Sequence, residues 1–230
     1  MATIKTNTID NLLLFSNKGK MYRILADNLP IGTNVLKGTT ISKLIKIEPY
    51  EKIIAITNLA KENNNKYIVF IIKKGLFKKA LLEEYTKTKR GTGIAAINLK
   101  DGDSIANIEL MDEEDMIIVT KQGMSIHFET KNNAAINRVT AGVKAIKLAE
   151  EDEVIIILPI KDSKATIAIF GENGNAKITN IDELPAKGRS GKGLIIYKAT
   201  IAGASMVTNE DNLLFIGNHS ICLPQQIFLY

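Results

Sequence analysis

The chain has 230 residues; 30 are Lys or Arg and 25 are Asp or Glu, a formal net charge of +5. Apolar residues make up 45%, too many for a disordered chain, and no apolar run approaches the length of a membrane span. A single cysteine, Cys222, excludes an intrachain disulfide framework and a cysteine-based zinc site, and no signal peptide is visible, so a soluble cytoplasmic protein is expected.

A strand is expected over residues 3–9. The apolar run 12–15 then leads into a turn, Ser16-Asn17-Lys18-Gly19. The same pairing recurs at 68–72 with Lys73-Lys74-Gly75, and at 116–119 with Thr120-Lys121-Gln122-Gly123. It recurs again at 166–170 with Gly171-Glu172-Asn173-Gly174, and more weakly at 213–216, where His219 takes the glycine's place. The intervals between turns are 56, 48, 51 and 45 residues. A basic, glycine-containing loop follows each of the first four turns and ends at Gly38, Gly93, Gly142 or Gly193, 18 or 19 residues on.

Each loop is followed by a β-like stretch, as at 94–99, 143–148 and 194–197. A polar or acidic turn then leads to a further strand, as at 53–57, 104–110 and 154–160. Ile and Val dominate these segments, which suits pleated, half-buried surfaces. The glycines supply the positive φ of tight hairpins. Residues 81–88 alone read as a helical turn. Repeats of 45–56 residues with four short strands each are propeller blades. The fold class is therefore all-β, with about five four-stranded blades in one domain over 1–230. The strand at 3–9 is expected to close the ring, and the chain is expected to be a fragment of a larger protein.

The repeat also sorts the charge. The stretches 16–43, 73–100, 121–147 and 171–198 hold 23 basic and 7 acidic residues, a surplus of +16. The other 119 residues carry −11. Equivalent positions of successive blades fall on a circle, so a basic segment in every blade becomes a basic belt. Such a belt suits the phosphates of a long polyanion, and loop glycines let backbone N–H groups approach phosphate. The bland alternative is lysines that keep a β-rich surface soluble.

Other motifs carry less. The cluster Lys187-Gly188-Arg189-Ser190-Gly191-Lys192-Gly193 is not a Walker A loop, because Ala186 replaces its first glycine and Gly193 its Ser or Thr. His127 reads as a strand residue facing solvent and His219 as a turn residue; no metal site is expected. The acidic runs 112–115 and 150–153 read as solvated turns, and Cys222 as a small core residue. Few aromatics and no tryptophan argue against stacking on single strands, so duplex backbone fits better.

The stretches LLLFSNKGKMY (12–22), GLFKKALLEEY (75–85), GIAAINLKDGD (93–103), TAGVKAIKL (140–148) and 172–193, where ENG precedes GRSGKG, point further in their order and spacing. Together they resemble the C-terminal domain of the A subunit of bacterial type IIA topoisomerases, DNA gyrase and topoisomerase IV. The resemblance implies a β-pinwheel, a propeller-like ring whose blades exchange strands. It implies a non-catalytic module that binds and bends duplex DNA around a basic rim. Strand breakage would use a tyrosine elsewhere in the A subunit. ATP and Mg²⁺ would serve other parts of the holoenzyme, so no cofactor is expected in this chain. Its expected partners are duplex DNA, the ATPase B subunit and the rest of the A subunit, in the bacterial nucleoid, with the isolated domain monomeric. The basic-glycine box that marks gyrase is absent near the start. Its nearest match is 187–193, where Arg189, Gly191, Lys192 and Gly193 agree. Gyrase and topoisomerase IV both remain open, with residues 29–34 and 209–222 leaning toward topoisomerase IV.

The residues expected to meet DNA are the loop cations Lys37, Lys87, Lys89, Arg90, Arg138, Lys144, Lys187, Arg189 and Lys192. The turn cations Lys18, Lys20, Lys74, Lys78 and Lys79 form a second rank. A propeller scaffold for acidic proteins is the alternative.

Overall fold

A computed structural model of the chain describes residues 4–32, 38–60, 65–87, 92–162, 164–208, 211–216 and 221–226. In chain order the strands are β1 (Asn11–Ser16), β2 (Lys20–Leu25), β3 (Ile53–Leu59), β4 (Tyr67–Ile72), β5 (Leu76–Leu81), β6 (Ile94–Ala95), β7 (Ile105–Met111), β8 (Met116–Thr120), β9 (Met124–Phe128), β10 (Val143–Lys144), β11 (Val154–Pro159), β12 (Thr166–Gly171), β13 (Ala176–Asn180), β14 (Leu194–Ile195), β15 (Ile201–Val207), β16 (Asn212–Ile216) and β17 (Ile221–Gln226). One helical turn, α1 (Glu83–Thr86), lies where the sequence pattern predicts it. No helix among the described residues is long and apolar enough to cross a membrane.

The strands form two compact units. One, built from residues 2–112 and 133–145, holds the antiparallel sheets β3-β1-β2-β6 and β10-β5-β4-β7. The other, from 113–132 and 146–230, holds β11-β8-β9-β14, the three-stranded β13-β12-β15 and the hairpin β16-β17. The expectation of four strands per blade thus holds for three sheets among the described residues, while the fourth has three strands and the fifth two.

The fourth strand of each complete sheet comes from the next repeat. Ile94 of β6 lies opposite Met21 of β2, Val143 of β10 opposite Phe77 of β5, and Leu194 of β14 opposite Ser125 of β9. This is the strand exchange implied by the resemblance. The donated strands are also shorter than their sequence pattern. After two residues the backbone N–H groups leave the ladder. Those of Ala96, Ala145 and Ile196 donate instead to the carbonyls of the turn glycines Gly19, Gly75 and Gly123, at 2.8–2.9 Å. The N-terminal strand is a further correction: residues 4–9 form no strand, and the Asp10 N–H turns back onto the Asn7 carbonyl.

Strands β4 and β8 are buried at every position, and β1 at all but its first. Both faces of these strands are covered, which explains why the sequence shows continuous apolar runs rather than alternation. One face of β1 and one of β4 share a core of Leu13, Phe15, Ile68, Phe70 and Tyr85. There Phe15 meets Phe70 edge-on, with ring centroids 5.4 Å apart. In the other unit Ile117 and Val119 of β8 pack with Ile167 and Ile169 of β12 and Ile201 of β15.

Candidate nucleic-acid interface

The loop 187–193 is fixed at both ends. The Lys187 N–H donates to the His127 carbonyl at 2.7 Å, and the Lys147 N–H donates to Gly191 O at 2.8 Å. Gly193 sits at φ +78°, where a Cβ would lie 2.2 Å from Ser125 O. The glycine is therefore needed where the donated strand meets β9. Lys187, Arg189 and Lys192 are exposed on this frame. Three cations so close together, without a carboxylate in the loop, make a strongly positive surface point.

The remaining expected residues differ in exposure and in their partners. Lys144 on β10, Lys74 in the second turn and Lys87 beyond α1 are exposed. Lys87 pairs with Glu83 at 3.2 Å, and Lys74 Nζ reaches the Asp101 carbonyl at 3.4 Å. Lys18 is exposed but pairs with Glu48 at 3.2 Å. Lys20 opens β2 rather than lying in the turn, is half-buried, and meets the same carboxylate. Those two hydrogen bonds, Lys20's the larger, hold the Glu48 carboxyl below its ordinary pKa.

Lys78 and Lys79 do not lie where their spacing predicts. Sequence spacing puts both in a turn, but they lie within β5, at 0% and 3% exposure. Lys78 Nζ donates to the carbonyls of Ala96, at 3.0 Å, and Arg138. Lys79 Nζ sits 4.5 Å from the Tyr67 ring centroid. Neither ammonium faces solvent, so the phosphate contact expected of them does not fit this placement. Arg138 is half-buried; its guanidinium donates to Ala95 O, and its N–H to the Glu84 carboxylate at 2.7 Å. Lys37, Lys89 and Arg90 lie outside the described residues, as does His219.

Comparison with known proteins decides what carries this arrangement. The profile of the family described as "DNA gyrase C-terminal domain, beta-propeller" matches residues 10–59, 66–110, 114–161 and 165–210, one match per repeat. The chain belongs to this family. The DNA gyrase A subunit of Clostridium acetobutylicum is 34% identical to it over 224 residues, 95% of the chain and 27% of the relative. The DNA gyrase A subunit of Lawsonia intracellularis is 30% identical over 221 residues, 93% of the chain and 27% of the relative. The chain thus spans about a quarter of the length of these relatives. A DNA gyrase A C-terminal domain superposes with a TM-score of 0.76 at 26% identity, over 91% of this chain and 69% of that one. The C-terminal domain of DNA topoisomerase IV superposes with a TM-score of 0.82 over 96% of this chain and 71% of that one; at 24% identity, this likeness speaks to the fold alone.

Sequence reasoning missed several residues of this gyrase-type C-terminal domain. Lys147, Lys177 and Lys198 are further cations of the same basic stretches, all three exposed. A carboxylate also stands two residues before β3, β7 and β11: Glu51, Asp103 and Asp152. Asp152 Oδ1 accepts the N–H groups of Gln122 and Glu153, both at 2.9 Å, and so fastens the third turn. Asp103 Oδ1 accepts the N–H groups of Lys74, at 3.3 Å, and Ser104. Glu51 accepts the Tyr22 hydroxyl at 2.8 Å and the Glu48 N–H at 3.0 Å. Burial pushes the Glu51 carboxyl up, but hydrogen bonds from Ser16, Glu48 and Tyr22 outweigh it and leave its pKa lowered. Asp152 is therefore no solvated turn residue. Aligning the repeats on β3, β7 and β11 reveals this position. His127 is likewise no solvent-facing residue: its ring is 11% exposed, Nδ1–H donates to Leu184 O at 2.6 Å, and Nε2 lies 3.6 Å from Asp115.

Proposed function

We propose that this chain is a non-catalytic module that binds duplex DNA along a basic rim, bends and wraps it, and presents it to the cleavage gate of a type IIA topoisomerase. The outcome served is control of supercoiling or decatenation. Its partners are duplex DNA, the ATPase B subunit and the rest of the A subunit, in the bacterial nucleoid; ATP and Mg²⁺ serve those other parts. The isolated domain is a monomer. Family membership supports this reading, and the exposed Lys187, Arg189 and Lys192 on a loop fixed at both ends carry it. Cations on a surface rim track the phosphate backbone, so affinity is salt-dependent and sequence preference slight, arising from bendability.

Replacing Arg189→Ala together with Lys192→Ala tests this directly. Duplex affinity is expected to fall, and the slope of log affinity against log salt to flatten by about two phosphate contacts. Unchanged affinity would sink the proposal and favour a scaffold for acidic proteins. In a ring-closure assay the domain is expected to alter DNA circularisation; no effect would reduce it to a tether.

A further inference from the structure

The most deeply buried cation of the described residues has no place in a simple phosphate belt. Lys78 is fully enclosed, yet its Nζ donates to two carbonyls from different repeats, Ala96 O at 3.0 Å and Arg138 O. Ala96 follows β6, the strand given to the first sheet; Arg138 lies on the loop that leads to β10, the strand given to the second. The two segments meet around this ammonium. The Tyr85 hydroxyl also donates to Ala96 O, at 3.0 Å, and the Arg138 guanidinium donates to Ala95 O. The Arg138 N–H bonds the Glu84 carboxylate, and the Asn98 N–H reaches Thr140 O at 3.3 Å. The Phe70 ring lies below, its centroid 5.6 Å from Nζ. The charged groups that face Lys78 are Glu84, which favours its charge, and Arg138, which opposes it.

We propose that Lys78 is the positioning residue of the DNA interface: by bonding the carbonyls of Ala96 and Arg138 it holds two successive basic segments in one register. On the proposed DNA-binding reading, Lys87, Arg138 and Lys144 then meet the duplex as one surface without Lys78 touching it. An apolar residue here would fill the same space but leave the Arg138 carbonyl without this donor. Burial of two polar groups against one donor specifies a geometry more than it stabilises one.

The test is Lys78→Met, read by amide hydrogen exchange without DNA and by the salt dependence of duplex binding. Expected is a loss of protection of about ten-fold or more at Ile136, Asn98 and Ala145, with the amides of β8 and β9 unchanged. The salt slope should flatten by one or two contacts although no exposed cation has been removed. Lys144→Ala, by contrast, should flatten the slope and leave exchange unchanged. If Lys78→Met alters the melting temperature but neither exchange nor slope, the positioning role is overturned. If the unaltered domain shows no salt-dependent binding, the DNA reading fails, and the exchange result still decides whether Lys78 fixes the two segments. Should Lys78→Met not fold, Lys78→Gln, whose shorter, uncharged side chain keeps amide N–H donors, is read by the same criteria.

Discussion

Gly123 and Gly174 occupy the same turn position in successive repeats, at φ +87° and +81°. They differ in what lies against them. A Cβ on Gly123 would fall 1.9 Å from Tyr197 O, whereas one on Gly174 would meet nothing within 4 Å. Gly123→Ala must therefore displace the segment after β14, whose Ile196 and Tyr197 N–H groups donate to Gly123 O at 2.9 and 3.3 Å. Left-handed strain in an Ala costs about 1–2 kcal/mol, and two weakened hydrogen bonds about 1 kcal/mol each. The sum is roughly 3–4 kcal/mol for Gly123→Ala against roughly 1–2 kcal/mol for Gly174→Ala. At roughly 3 °C per kcal/mol in a chain of this length, calorimetry should show the unit holding both turns melting about 9–12 °C lower in the first variant and about 3–6 °C lower in the second. Equal shifts would refute the reasoning, because the donated strand would then place no constraint on the turn that receives it.

Three further outcomes follow from the buried polar groups. Burial lowers the Lys78 pKa from 10.5 to about 8. Between those values the unfolded chain holds a proton that the folded chain has released, so stability rises with pH; urea unfolding should show a gain of about 2 kcal/mol between about pH 7 and pH 9.5 that Lys78→Met lacks. The lowered pKa of Glu51 acts on the acid side: its contribution is complete above the unfolded pKa and is lost as pH falls through the folded one, so Glu51→Gln should flatten the acid limb of the stability curve. Asp152→Ala strands the N–H groups of Gln122 and Glu153 and should destabilise the third turn by roughly 1–3 kcal/mol in denaturant titration, with no effect on protection in the first turn.

The repeat, the turn glycines and the all-β class were legible because they depend on local spacing. Gly19, Gly75, Gly123 and Gly174 all take the positive φ that their place in the pattern requires. Strand exchange was not legible from the residues themselves. Residues 94–99 read as a strand whichever sheet receives them, and only the resemblance implied exchange. Nor could spacing show where a strand would stop, because Ala96 is turned aside by a carbonyl 77 residues earlier, that of Gly19. Lys78 and Lys79 misled because β5 is packed on both faces, an outcome decided by other segments. Lysine in a strand otherwise reads as a solvent-facing residue. The carboxylates at 51, 103 and 152 look like surface charge until the turn each one fastens is in view.

The most direct measurement is duplex affinity as a function of salt. Log affinity is predicted to fall linearly with log salt between roughly 50 and 200 mM, with a slope equivalent to several neutralised phosphates. An affinity that barely changes over that range would contradict the basic rim and, with it, the proposed role in wrapping DNA.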